Sequence, residues 1–295
     1  MTAPAERSQA MTARLLDGRA LAAELREGLV QRVAALAECG VRPRLLVAMI
    51  GEDPSSLAYV RSMRRLGETI GVDVAVDVMA ETIDEPGVRE RLEAHARDAA
   101  VHGIILQQPL PRHLRIRRIA SAMPFEKDVD GANPVNQGRL AFASGARFIP
   151  ATPAAVMLLL ERSTHWPLRG RPVTVVGRSN VVGLPVALLI MAEDATVTVV
   201  HKETRAIRDF VRTAEVVVVA AGSPGLVDAT WLRRGATVID VGTTVVDGTL
   251  RGDVDFMSAA SVAGEITPVP GGVGPVTNVA LMRNLVLAAE RISSR

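Results

Sequence analysis

Between a valine-rich stretch ending at Val176 and an apolar one beginning at Leu184 stands the segment Gly177-Arg-Ser-Asn-Val-Val-Gly183. A glycine-bearing turn between strand and helix lets the main chain approach a pyrophosphate, whose charge is favoured by the amides of a helix N-terminus. Gly177, Arg178, Ser179 and Gly183 are therefore candidates for phosphate contact, although the spacing departs from Gly-x-Gly-x-x-Gly and a plain strand-to-helix turn reads equally well. The next strand ends at His201-Lys202 with no acid at its tip, Glu203 lying just beyond. A carboxylate there would suit the ribose 2′-hydroxyl of NAD, whereas Arg178 and Lys202 suit a 2′-phosphate. The spacing favours NADP with NAD possible, unless Lys202 is an ordinary solvated lysine. A second group lies in the first half of the chain. Ser56, Tyr59 and Met63 fall at i, i+3 and i+7, along one helix face. Gln107 leaves the carboxyl end of a short apolar run, where ligands of parallel sheets sit, and Asp130 precedes Gly131. Taken singly, Tyr59 also reads as a packed helix residue, Gln107 as a loop cap and Asp130 as a turn former.

Segments rich in Val and Ile alternate with amphipathic stretches of Ala, Leu, Arg and Glu, which is the pattern of a parallel sheet covered by helices. In the first half the pattern predicts helices over residues 15–36, 55–70 and 86–100 and strands over 45–50, 72–79 and 103–106. The last strand runs into Gln107-Gln-Pro-Leu-Pro111, whose prolines cannot continue a ladder. An apolar helix over residues 154–162 bridges to a second half, where 173–176, 196–200, 216–219 and 237–241 read as strands covered on both faces. A final helix over residues 276–291 returns to the first domain. The expected fold class is α/β with two domains: an N-terminal α/β catalytic domain over 12–150, joined by helix 276–295, and a C-terminal Rossmann-type parallel sheet over 151–275.

A chain of 295 residues exceeds what one core usually fills. With 48% hydrophobic and 22% charged residues it is globular, and no apolar run reaches membrane-span length. The single cysteine, Cys39, and the lack of Cys/His ligand spacing point to a reducing, cytoplasmic compartment and no metal site. A net charge of +2, scattered basic residues and 3% aromatics exclude a nucleic-acid binder, and no membrane partner is expected. The opening MTAPAERSQA has no apolar signal core and precedes Met11, so it reads as an unstructured extension or a misassigned start.

Five separated segments together resemble the bifunctional methylenetetrahydrofolate dehydrogenase/methenyltetrahydrofolate cyclohydrolase family. They are Gly51-Glu-Asp-Pro-Ser-Ser-Leu-Ala-Tyr-Val60, Gln107-Gln-Pro-Leu-Pro111, Lys127-Asp-Val-Asp-Gly131 with Asn133-Pro, Gly177 to Gly183, and Thr267-Pro-Val-Pro-Gly-Gly-Val-Gly-Pro275. The resemblance implies oxidation of 5,10-methylenetetrahydrofolate with NAD(P)⁺, hydrolysis of the methenyl product to 10-formyltetrahydrofolate, and a homodimer. It implies that Tyr59 orients the folate rings, Gln107 assists the catalytic group, Asp130 binds the pterin, and Ser56 with Pro270, Gly271, Gly272 and Gly274 shapes the cleft. It also adds Val182, His201 and Thr243 to the dinucleotide contacts.

In the family pattern the tyrosine helix reads Tyr-Val-x-x-Lys, with the lysine central to hydrolysis. Here the run is Tyr59-Val-Arg-Ser-Met63, and a thioether has no titratable proton. Arg61 and Arg64 point elsewhere around the helix and stay protonated near neutral pH. The expectation is a methylenetetrahydrofolate dehydrogenase using NADP, with weak or absent cyclohydrolase activity. The alternatives are a fully bifunctional enzyme and a folate- and nucleotide-binding homologue with little catalysis.

Overall fold

The computed structural model describes residues 13–142 and 148–293; the N-terminal MTAPAERSQA and Met11, and the last two residues of the expected helix 276–295, lie outside them. In chain order the elements are β1 (Arg14–Leu15), α1 (Gly18–Glu38), β2 (Arg44–Ile50), α2 (Pro54–Ile70), β3 (Asp73–Met79), α3 (Glu85–Arg97), β4 (Gly103–Leu106), α4 (Ile116–Ile119), α5 (Pro134–Ala141) and α6 (Ala151–Leu160). They continue as β5 (Pro172–Val176), α7 (Gly183–Ala192), β6 (Thr196–Val200), α8 (Ile207–Thr213), β7 (Val216–Val219), β8 (Thr237–Asp240), β9 (Thr244–Val246), β10 (Thr249–Arg251), α9 (Phe256–Ala260), β11 (Glu265–Ile266) and α10 (Val273–Ser293).

The chain divides into two compact units, one formed by Arg19–Ala155 with Pro275 onward, the other by Val156–Gly274 with the described residues up to Gly18. The first holds a parallel sheet in the order β3-β2-β4. Strand β2 is buried along nearly its whole length, as a central strand covered on both faces must be. Leu46, Ala48 and Ile104 pack with Val88 and Leu92 of α3. Helix α2 starts where it does because the Asp53 carboxylate accepts from the Ser56 amide at 3.0 Å and Pro54 occupies the first turn. It stops at Gly71, whose φ of 84° is open to glycine.

The second unit carries a six-stranded parallel sheet in the order β1-β11-β8-β7-β5-β6. Val217, Val219 and Val238 anchor its core. The sequence gives four of these strands; the other two, β1 and β11, have two residues each. Helix α1 accordingly begins at Gly18, not Leu15, and Arg14–Leu15 pair with Glu265–Ile266. The described residues before α1 thus belong to the C-terminal sheet, where the expected N-terminal domain began at residue 12. An ion pair between Arg14 and the buried Glu265 fixes that edge, and the Thr237 hydroxyl donates to Glu265 at 2.8 Å. The chain passes between units at the start of α1 after Gly18, inside α6 after Ala155, and within the first turn of α10. No helix among the described residues is long and apolar enough to cross a membrane.

Candidate functional site

One set of candidate residues gathers in the unit built on β3-β2-β4. Helical spacing places Ser56, Tyr59 and Met63 on one face of α2; Ser56 is 2% exposed and Met63 0%. Gln107 follows β4, its amide donating to the Ala48 carbonyl of β2 at 2.8 Å. The Gln107 side chain donates to the Gln108 carbonyl at 2.7 Å, and the Ser56 hydroxyl donates to the same oxygen at 3.2 Å. Helix α2 and the loop after β4 are thereby tied at a single atom, so Ser56 acts first as a positioning residue.

Asp130 is half-buried and accepts from the Ala151 amide at 3.3 Å. Burial pushes its carboxyl up to about 7, against the lowering effect of that amide, and Asp128 pushes the same way. Burial also raises the Tyr59 phenol, to which the Asp130 charge adds, so the two side chains share one electrostatic environment. This region is low in dielectric and short of cations, suited to a ligand edge that brings its own donors.

The loop that presents Asp130 is set by residues the sequence reading did not single out. Asp128 is fully buried and accepts from the amides of Ala132 (3.0 Å) and Asn133 (2.8 Å) and from the Asn136 side chain (2.8 Å). Burial raises its pKa and these bonds counteract the rise. Lys127 donates to the carbonyls of Ala96 (2.8 Å) and Asp98 (2.7 Å), holding the loop from the other side. Asn284 of α10 donates to the carbonyls of Val129 and Ile149, each at 2.8 Å. Gly131 has φ of 64°, and a Cβ there would press on the Phe148 carbonyl and Pro150. The motif Lys127-Asp-Val-Asp-Gly131 carried the signal for Lys127 and Asp128; nothing in the sequence pointed to Asn284.

The second set lies in the six-stranded unit. At Gly177 φ is 123°, and a Cβ would overlap the Ala220 carbonyl; one at Gly183 would overlap the carbonyl of Gly177 itself. The turn after β5 therefore folds back on itself tightly enough to exclude side chains, leaving a main-chain cradle that a dinucleotide phosphate fits. The exposed helix-end amides expected there are in part already used, since the Ser179 hydroxyl accepts from Val182 (3.1 Å) and Gly183 (3.3 Å). Ser179 thus pins the turn that leads into α7, whose N-cap position is Val182. Arg178 is exposed, as is Lys202, which pairs loosely with Glu203 at 3.9 Å. The His201 amide donates to Thr204 at 2.9 Å, and Thr243 stands exposed after β8.

Two further carboxylates organise the loops at the carboxyl ends of β7 and β8. Asp253, fully buried, accepts from the amides of Ala221 (2.7 Å), Gly222 (2.8 Å) and Ser223 (2.8 Å) after β7. Asp240 accepts from Gly242 (2.9 Å), Asp253 (2.9 Å) and Val254 (3.0 Å), and burial lifts its carboxyl to about 6. The loop of Pro270, Gly271, Gly272 and Gly274 belongs to this unit; Gly272 is packed so that a Cβ would press on the Pro268 carbonyl, and a Cβ on Gly18 would overlap the Gly272 carbonyl.

Two family models match. The tetrahydrofolate dehydrogenase/cyclohydrolase catalytic domain covers residues 16–130, and the NAD(P)-binding domain of the same family covers residues 150–293. The chain is 45% identical to the bifunctional protein FolD of Bordetella bronchiseptica over 285 residues, 96% of this chain and 100% of that one. A Campylobacter jejuni FolD methylenetetrahydrofolate dehydrogenase/cyclohydrolase structure superposes with a TM-score of 0.90 at 36% identity, covering 95% of this chain and 99% of that one. The Trypanosoma brucei FolD structure, complexed with NADP cofactor and inhibitor, gives 0.90 at 39% identity, with 95% and 98% covered.

Proposed function

The chain belongs to the tetrahydrofolate dehydrogenase/cyclohydrolase family, and from that premise we propose that it oxidises 5,10-methylenetetrahydrofolate with NADP and hydrolyses the methenyl product slowly or not at all. The observation that carries the second half is Met63, which lies 0% exposed on the Tyr59 face of α2. By the resemblance this is the catalytic lysine position, and α2 contains no lysine. Bound NADP⁺ supplies the hydride acceptor. The folate nitrogen lone pair drives the transfer, so the protein's task in oxidation is geometric. Asp130 accepts from the amino-pyrimidine edge of the pterin, Tyr59 orients the rings, and Gln107 with Ser56 holds the loop beside them. Pro270, Gly271, Gly272 and Gly274 form a main-chain wall for the folate. Gly177 and Gly183 leave room for the pyrophosphate, with Ser179 and Val182 fixing the turn; Arg178 and Lys202 face the 2′-phosphate, and His201 and Thr243 line the same site. A homodimer is part of the same proposal.

A second reading keeps both activities. It is favoured by the relatives, which are named bifunctional, and by Asp130, whose carboxyl near 7 is a proton carrier poised close to neutral pH. One product-resolved assay with methylenetetrahydrofolate and NADP⁺ separates the two. Methenyl product accumulating supports the first reading, formyl product accumulating the second, and binding without turnover overturns both.

A further inference from the structure

In the six-stranded unit the order β8-β7-β5-β6 puts β6 and β7 on opposite sides of β5. The chain leaves β5 for β6 and then crosses back to β7, so its winding reverses between β5 and β7, and ligands of such sheets sit between the loops that part there. One of those loops is the Gly177 turn. The other is residues 220–223. The two meet at their base, where a Cβ on Gly177 would overlap the Ala220 carbonyl.

Ala221, Gly222 and Ser223 are exposed, yet their three consecutive amides turn to one fully buried acceptor. Asp253 Oδ2 accepts from Ala221 at 2.7 Å and Gly222 at 2.8 Å, and its Oδ1 accepts from Ser223 at 2.8 Å. Successive amides that converge in this way form an anion nest of the kind that holds phosphates. Here the anion is the protein's own, which leaves the pyrophosphate to the Gly177 turn and gives residues 220–223 a set shape. Main-chain pairing begins only further on, where Gly225 donates to the Gly252 carbonyl at 3.0 Å and Val227 to the Asp253 carbonyl at 3.1 Å. Asp253 is anchored in turn. Its amide and that of Val254 donate to the Asp240 carboxylate, which also accepts from Gly242 at the other foot of the β9-β10 hairpin. A Cβ on Gly242 would overlap the Asp253 side chain and one on Gly252 the Asp240 side chain. One carboxylate therefore clasps the hairpin while the other, carried on its second foot, shapes the loop.

We propose that Asp253 is a positioning residue for the dinucleotide: by filling the nest it holds residues 220–223 as a preformed second wall of the NADP site, facing the Gly177 turn. The inference rests on the NADP reading above. A loop that is binding-competent only a tenth of the time binds about tenfold more weakly than one always held ready.

The test is equilibrium titration of the full chain with NADP⁺ and, separately, with tetrahydrofolate. Asp253→Asn puts an amino group where an oxygen accepted from the nest. Gly222→Val leaves Asp253 in place and sets a β-branched residue at a φ of 65°, which such residues avoid, so the loop must leave the nest. Val211→Ala, a core truncation on α8 of the same unit, is the control for general loosening. The first two variants are each expected to weaken NADP⁺ binding about tenfold with folate affinity unchanged, and to raise the KM for NADP⁺ while kcat at saturating dinucleotide changes less than about twofold. Their combination should weaken binding little beyond either alone, since both open the same nest. Val211→Ala should lower Tm and leave NADP⁺ affinity as it was. Where Asp253→Asn does not fold, Gly222→Val decides. Unchanged NADP⁺ affinity in folded Asp253→Asn or in Gly222→Val overturns the proposal, as does an equal loss in Val211→Ala. A wild type that binds no NADP⁺ removes the cofactor reading and this proposal with it, whereas NADP⁺ binding without oxidation strikes only at the proposed reaction.

Discussion

Replacing Met63 by lysine puts an amine where the side chain has no exposure at all, and the consequences for stability and chemistry can be worked together. A fully buried lysine has its pKa lowered by about 3 to 5 units, to roughly 6 or 7. Holding it neutral at pH 7 costs on the order of 4 kcal/mol at about 1.4 kcal/mol per unit. That corresponds to a drop in Tm of roughly 10 °C. In the folded variant the amine's pKa lies below its unfolded value, so between the two the unfolded chain holds more protons. The variant's stability deficit should therefore shrink as pH rises from about 7 toward 10. That same depressed pKa makes the amine a usable proton carrier, and methenyl hydrolysis should rise by about 10²-fold or more. Met63→Leu, a near volume-conserving change costing under about 1.5 kcal/mol, should bring no such gain. The assay follows methenyl decay with the buffer-catalysed rate subtracted, alongside thermal melts across pH. Wild-type hydrolysis as fast as that of the lysine variant would show that another group already moves the proton.

Asp130→Asn should weaken folate binding by about tenfold or more, the loss of a charge-assisted acceptor, while dinucleotide binding is retained. Because burial holds the Asp130 carboxyl near 7, the folded wild type binds this proton more tightly than the unfolded chain and loses stability as pH rises from about 4 to 7; melts of the unliganded variant should show a higher Tm than wild type at pH 8 and a difference that shrinks steadily toward pH 4. Side-by-side titrations should give tighter binding of NADP⁺ than NAD⁺ by about tenfold, with most of the difference lost in Arg178→Ala; equal wild-type affinities would remove the assignment of Arg178 and Lys202. Gly177→Ala meets the Ala220 carbonyl at a φ of 123° and should cost about 3 kcal/mol or more, read as a lower Tm together with lost dinucleotide affinity.

The long or strongly patterned elements were legible. Strands β6 and β7 fall on the same residues in sequence and structure, because short runs of β-branched valine and threonine bounded by charged or small residues leave little freedom in where each strand begins and ends. The shared face of Ser56, Tyr59 and Met63 followed from helical spacing alone. Strands β1 and β11, two residues each, carry no periodicity to detect, and their pairing joins Arg14 to Glu265 across most of the chain. Asn284 was invisible for a related reason: its partners are main-chain carbonyls, those of Val129 and Ile149, which leave no mark on residue type. The role of Ser179 was not legible for a similar reason: it lies four residues before α7, outside the usual N-cap position, which Val182 fills.

The winding of the chain through its two units also bears on how the protein is made. Strand β1 emerges from the ribosome early, yet its partner β11 follows some 250 positions later. The loop bearing Asp130 is complete by Ile149, yet the amide that clamps it, Asn284, arrives only after the whole six-stranded unit has been synthesised. Neither unit can close from a contiguous stretch, so contacts of high sequence separation gate both and folding is expected to be slow for a protein of this size. A nascent chain stalled before α10 has every catalytic candidate from Ser56 to Asp130 and lacks the helix that fixes the Asp130 loop. The Asp130 loop of such a chain lacks the two hydrogen bonds that only α10 supplies.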